Sequence, residues 1–205
     1  MASTFTTKVE VANLALEMLG ASTISSFEES TRESQLMKRY YELFIKTALN
    51  KHEWRFCMTE QQASLLVTSP IPQWEYAYEL PADMLQLKAA FISESAGDRQ
   101  PYKNYSLFEN NTLCTDYGSG IWVHYKARVY ETRWPDYFLD YVAHHLAIKL
   151  CPMIGRQFDF QKSLIDITYG IGGDSVFNIA CEADMSQYVP EEWQVTYLQS
   201  ARESY

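Results

Sequence analysis

The sequence predicts an α+β fold: a mainly α-helical bundle with an inserted small antiparallel β-sheet or barrel, and an extended C-terminal arm. Three observations point there. Helix-start signals followed by apolar residues at three- and four-residue spacing occupy both ends of the 205-residue chain. Between them the pattern switches to period two, most plainly in "WEYAYEL", residues 74–80. The final stretch, "DMSQYVPEEWQVTYLQSARESY", is amphipathic but stands apart from the periodic body. The division that follows is a helical body over residues 1–62 and 128–183, a β insertion over 63–127, and a C-terminal arm over 184–205.

The first helix starts at a capping box, with the Thr7 oxygen for the free amides and Glu10 reaching back. Val11, Leu14, Ala15 and Met18 then share a face, and Gly20 is the stop. A second box, Ser30 with Glu33, opens a helix running to about Lys51, with Leu36, Tyr40, Leu43, Phe44 and Thr47 along one side. "HEWRF" leaves that helix with two anchors for the core, Trp54 and Phe56. "ASLLV" is the first candidate strand. Trp74, Tyr76, Tyr78 and Leu80 form the buried face of the next, with Glu75, Ala77 and Glu79 opposite. Pro81 lacks an amide hydrogen and ends the pairing. "LQLKAAFI", short strands near Tyr102, Leu107 and Leu113, and "IWVHYKA" complete the sheet.

Helices return at Pro135, which suits a first helical turn. Leu139, Val142, Ala143, Leu146 and Leu150 are the buried face, and Cys151-Pro152 the end. A last helix is expected over residues 157–183, on Phe160, Leu164, Ile167, Ile171, Phe177 and Cys181. Gly170, Gly172 and Gly173 weaken its middle by up to about 1 kcal/mol each relative to alanine.

A net charge of −9 argues against gripping nucleic acid by its phosphates. It is compatible with a surface that DNA slides past. Cys57, Cys114, Cys151 and Cys181 are widely spaced, without C-x-x-C, and read as reduced and mostly buried. The start of the chain carries no basic segment followed by an apolar run, so no signal peptide is expected, and no apolar stretch is long enough for a membrane span.

Chemistry candidates are few. His144 and His145 are adjacent, so on a helix they point about 100° apart and do not converge on one ion. "GIGGDS" (residues 170–175) has Asp174 where a phosphate loop needs lysine, and reads as helix packing or a kink. Glu28-Glu29 and Glu191-Glu192 offer a glycosidase pair, but such carboxylates must stand roughly 5–9 Å apart across a bond, which adjacency in sequence does not set. No catalytic residue, metal ligand or cofactor is assigned. The aromatic surplus is mostly core, while the tail aromatics suit an interface.

In order and spacing these segments resemble a family. "EVANLALEMLGASTISSFEES", "NKHEWRFCMTEQQASL", "QWEYAYELPADMLQL" and "VHYKARVYETRWPDYFLDYVAHHLAIKLC" are similar to the tail tubular protein A family, the head-to-tail adaptors of short-tailed bacteriophages. The likeness covers roughly residues 8–183. It implies a non-enzymatic virion protein of the neck, present in the host cytoplasm during assembly. It also implies a self-assembled ring, dodecameric in the family, between the portal protein and a tail nozzle protein of the tail tubular protein B kind. Double-stranded DNA would pass through the ring without specific binding, and no membrane is involved. The C-terminal arm would meet the portal, with Tyr188, Trp193, Tyr197, Leu198 and Tyr205 as the portal-binding side chains. Trp54, Phe56, Trp74, Tyr76 and Tyr78 are the expected structural core. The alternatives are a neck or completion protein without nozzle attachment, and a virion-associated peptidoglycan hydrolase.

Overall fold

A computed structural model describes residues 7–92, 100–109, 111–155, 157–170 and 173–187. Five α-helices and two small antiparallel sheets are formed by these residues. Helix α1 spans Lys8–Met18, α2 Arg32–Asn50, α3 Asp136–Ile154, α4 Phe158–Tyr169 and α5 Val176–Ser186.

Helix α3 holds the centre of the helical layer. The sequence suggested one buried face, but between Tyr141 and Cys151 only Lys149 is exposed. A helix that is apolar on every side must be surrounded, and α1, α2, α4 and α5 all pack on α3. It also outruns its expected end, because Pro152 sits in the last turn and the stop is Gly155, at φ 81°. Proline cannot donate to the carbonyl four residues back. That carbonyl, on Ile148, accepts instead from Gln161 Nε2 at 3.1 Å, which fastens α4 to the weak point. Arg32, at the start of α2, donates to the Met153 carbonyl at 2.6 Å.

The capping box of α1 is present: Thr7 Oγ1 accepts from the Glu10 amide, and the Thr7 amide donates to Glu10 Oε2 at 2.6 Å. Its end is a Schellman turn. The Gly20 amide donates to Glu17 and the Ala21 amide to Leu16, both at 2.9 Å, with Gly20 at φ 59°. Asn13 then holds the following loop by two bonds to the Ile24 backbone. The expected box at Ser30 and Glu33 is displaced. Thr31 is the cap, accepting from the Ser34 amide, and Glu33 falls one place short of the box position. The expected helical faces hold in part, with Val11, Ala15 and Phe44 buried as read. Leu14 and Leu43 are exposed, while Ala12, Leu16, Met37, Tyr41, Ile45 and Leu49 are buried.

The single helix expected over residues 157–183 is two helices. At Gly170 the backbone turns extended, at ψ 160°, and a Cβ there would lie 2.2 Å from the Asp166 carbonyl oxygen. Ser175 restarts the helix by accepting from the Asn178 amide. The two helices touch α3 in descending order: Gln161 at Ile148, Tyr169 at His145, Phe177 at Tyr141, and Asp184 at Tyr137. Residues 161–184 in one helix would span roughly 35 Å, against roughly 17 Å for 148–137. The break absorbs that mismatch.

The strands form two open sheets, not a closed barrel. The first has order β1 (Met58–Gln62), β7 (Trp122–Ala127), β4 (Met84–Phe91). The second has order β2 (Ser64–Leu65), β3 (Tyr76–Glu79), β6 (Thr112–Thr115), β5 (Tyr105–Phe108). All pairs are antiparallel. Strand pairing therefore begins at Met58, within the segment assigned to the helical body. Strand β3 does not bury one face alone. Tyr78, Leu80 and also Ala77 are buried, Tyr76 is half-buried, and Trp74 precedes the strand, half-buried. Ala77 pairs with Cys114 of β6, and both are buried. Tyr78 ties down the 117–120 turn, donating to the Tyr117 carbonyl and accepting from the Gly120 amide.

The sheets and helices are joined at Lys126. Its side chain is 1% exposed, and its Nζ donates to the carbonyls of Leu49 at 3.3 Å and His52 at 2.9 Å, with Glu53 at 3.4 Å. An ammonium is thus placed at the negative end of α2. We expect Lys126→Ala, which orphans those carbonyls, to cost about 2–4 kcal/mol in urea unfolding. Gly170→Ala should cost at least about 1 kcal/mol, whereas Gly173→Ala, whose Cβ meets nothing, should be neutral to slightly stabilising by the same measurement.

Candidate functional site

The segment "HEWRF" delivers Trp54 to the hub of an aromatic cluster. Trp54 is fully buried and donates from Nε1 to the Ala48 carbonyl at 3.1 Å. The rings of His52, Phe138 and Tyr141 lie 4.8, 5.1 and 5.5 Å away. Phe56 is half-buried and packs on Phe138 at 4.7 Å. Trp54 and Phe56 thus share one cluster, while Tyr76 and Tyr78 belong to the second sheet. Tyr188, Trp193, Tyr197, Leu198 and Tyr205 lie outside the described residues; residues 184–186, expected to open the arm, instead finish helix α5, with Asp184 buried in the body.

Three ionisable groups that sequence reasoning missed are buried here. Asp184 accepts from the Arg55 amide at 3.1 Å and from the Tyr137 hydroxyl at 2.8 Å. Glu131 accepts from Arg128 at 2.6 Å and from Tyr41 at 3.1 Å. Lys126 is described above. Burial, reinforced by these carboxylates, pushes the Tyr41 and Tyr137 hydroxyls well above the usual phenol range. The signal for them was slight: a charge beside aromatic residues in segments otherwise fit for a core.

The chemistry candidates have structural occupations. Glu28 pairs with Lys38, and Glu29 accepts from the amides of Ser25 and Ser26. Glu191 and Glu192 lie outside the described residues. His144 Nδ1 is 2.9 Å from the Asp140 carbonyl on its own helix. Among the described residues, no three His, Cys, Asp or Glu side chains converge in a way that holds a metal ion. Also among them, no helix is long and apolar enough to cross a membrane. Cys57, Cys114 and Cys151 are buried and Cys181 is half-buried.

A cavity of about 270 Å³ beside β1 and β7 is lined by Cys57, Thr59, Gln61, Asp83, Tyr125 and Arg128, among others. Burial pushes the Cys57 thiol up to about 12, and burial with the Asp83 carboxylate alongside pushes the Tyr125 phenol to about 12. Both are protonated at neutral pH, so neither presents a nucleophilic anion there.

The most distinctive surface is apolar and helical. On α4, Leu164 and Thr168 face inward. At about 100° per residue, Phe160 and Ile167 flank that seat on one side, Phe158 and Ile165 on the other. All four are exposed, Phe158 to 77% and Ile167 to 54%. Ile179 and Met185 of α5 are exposed too. Beside Phe160 a groove of about 680 Å³ opens between Met18, Leu19, Gly20, Gly155 and Gln157.

No protein-family model matches this chain, and no curated protein matches it.

The seam between α3 and α4 contains one group that responds to pH. His145 is 4% exposed, its Nδ1 lies 2.7 Å from the Tyr169 hydroxyl, and its Nε2 is buried without a partner. Burial, then the charges of Lys149 and Lys51, lower its pKa from 6.5 to about 4. The folded histidine is neutral where the unfolded one already binds a proton. Its contribution is therefore complete above about pH 6.5 and drains away as pH falls toward 4. We expect this group to remove roughly 3 kcal/mol of stability across that window. His145→Gln should flatten that part of the stability–pH curve, measured by urea unfolding at half-unit steps.

Proposed function

We propose that the protein is a structural virion subunit, a head-to-tail adaptor that forms a ring between portal and tail nozzle. The observation that carries this reading is the set of large apolar side chains left exposed on α4 and α5, Phe158, Phe160, Ile165, Ile167 and Ile179, which suit joining to another protein surface. The resemblance of residues 8–183 to the tail tubular protein A family supports it, through the same segments that build α1, α2, the sheets and α3.

The mechanism is mechanical. The isolated subunit is folded. A filled head presents a portal surface, and the arm beyond helix α5 docks on it through Tyr188, Trp193, Tyr197, Leu198 and Tyr205. Neighbouring subunits then close a ring, and the nozzle protein attaches below. Ordering the arm costs roughly 2–5 kcal/mol of the gross interaction energy, offset only when the interface is large. Premature rings are thereby disfavoured. A lumen lined by an acidic protein, at net charge −9, passes DNA without holding it.

Mass photometry separates the outcomes. The protein alone should run as a single 23.8 kDa chain, and mixing with portal should give a ring. Trp193→Ala with Tyr197→Ala should weaken portal binding by about a hundredfold, as loss of interface hot spots does. A stable ring without portal would overturn the assembly order. Failure to bind portal, with clearing of a peptidoglycan zymogram by the pure protein, would replace the adaptor with a hydrolase.

A further inference from the structure

Among the described residues, helices α1 and α2 each expose one large apolar side chain, Leu14 and Leu43. Both are framed in the same way. Glu10 stands four places before Leu14 and Glu17 three after it, while Arg39 and Lys46 hold those places around Leu43. All six are exposed. At 100° per residue, the members of each set fall within about 60° of one another, so each set is one outward stripe. The charges of a stripe are seven residues apart, roughly 10.5 Å along either helix. The two stripes thus match in length and in the place of the leucine, and are opposite in sign.

Neither stripe is neutralised within the chain. Among the described residues, Glu17, Arg39 and Lys46 enter no ion pair, and Glu10 accepts from the Thr7 amide, which leaves its charge in place. Where α1 meets α2 by charge, Lys8 donates to Glu42 at 2.7 Å, on the flank of the cationic stripe, and Glu42 is shared with Arg128. A cationic stripe on a chain of net charge −9 draws acidic surface. A nucleic acid fits it poorly, because Leu43 stands between the two cations and would meet phosphate. A helix with a leucine between two acids fits it well, and every copy of this chain carries one.

We propose that the α1 stripe of one copy docks on the α2 stripe of the next, with Leu14 against Leu43 and with Glu10 and Glu17 paired to Arg39 and Lys46. The charges match whether the two helices run parallel or antiparallel. The joint is heterologous, one surface meeting a different one, and a rotation that closes makes a ring. Two ion pairs and one leucine contact are weak by themselves. Dilute chains therefore stay single, and the joint forms where copies are gathered. Its use in closing a ring rests on the adaptor reading, whereas the contact itself does not.

Engineered thiols test the contact without portal. Full-length Leu14→Cys and Leu43→Cys chains, mixed at a concentration on the order of 0.1 mM, should form the crossed disulfide at least about tenfold faster than either chain forms its own. The wild-type chain, whose cysteines are buried or half-buried, gives the background. The thermal midpoint should not move, since both leucines are exposed. Adding Glu17→Arg to the first chain should slow the crossed reaction about fivefold, as should Arg39→Glu with Lys46→Glu in the second, and the two together should restore it. Salt at roughly 0.5 M should slow it as well. A crossed rate no faster than the self rates, or charge variants without effect or without mutual rescue, would overturn the proposal. So would duplex DNA that the wild type binds and Arg39→Glu releases, which would give the cationic stripe to phosphates. A chain that forms the crossed disulfide yet never binds portal loses only the adaptor reading. Rings that form on portal as readily with Arg39→Glu and Lys46→Glu lose only this contact.

Discussion

Everything in the helical layer follows from a helix that cannot face water. Over Tyr141–Cys151 the side chains of α3 are apolar or aromatic almost all round, broken only by His144, His145 and Lys149. Burying each large one contributes roughly 1.5–3 kcal/mol, so exposing a flank would forfeit several such terms. Four helices therefore converge on α3. The price is geometric, because partners that serve α3 cannot all serve themselves. Helices α4 and α5 meet it at separate places, divided by the Gly170 break, and the sides of α4 stay uncovered.

The seams between elements are held by charges rather than by further apolar contact. Lys126 joins the central strand of the first sheet to the end of α2. Asp184 joins the end of α5 to the amide of Arg55 and to Tyr137 at the start of α3. Glu131 joins the approach to α3 to Tyr41 of α2. Buried ionic groups add little net stability against a good apolar replacement, yet losing one partner is costly. Their consequence here is positional. Apolar contact tolerates sliding, whereas a carboxylate that must meet two donors fixes where α5 stops against α3. Glu53 shares the Lys126 seam, and the Lys88 hydrogen bond, then the Lys126 charge, hold its carboxyl below the usual range.

Signals that act within one turn of chain were legible in the sequence. Thr7 with Glu10, and Gly20 after the last helical turn, need only local geometry, and both behave as read. The alternating middle segment also announced strands. What failed was phase and continuation. Leu14 and Leu43 read as inward by spacing, but α3 approaches α1 and α2 from a direction the sequence of either helix does not encode. Pro152 read as a stop, but a distant Gln161 supplies the missing bond. Gly170 read as a weakened helix, while the obstacle is the Asp166 carbonyl. Nothing in "IWVHYKA" marked Lys126 as buried, because only the folded chain brings the α2 carbonyls over it. The α4 face was half legible: Phe160 and Ile167 were expected inward, and their exposure appears only once Leu164 is seen to occupy the seat.

If the protein assembles as proposed, the exposed sides of α4 also limit how assembly can proceed. A 12-residue helix is roughly 18 Å long and about 10 Å across, so one side offers on the order of 200–300 Å². A stable protein interface takes roughly 800 Å² from each partner. The face of α4 alone is thus too small to hold two free subunits together, even though its side chains are of the right kind. Joining needs added surface, from α5, from the arm or from a platform that holds several copies at once. A platform acts twice, since it contributes contact area and raises the local concentration of neighbouring faces. On the proposed adaptor reading, a ring with such a small apolar joint would close only once its subunits are gathered, so the order of events would follow from area.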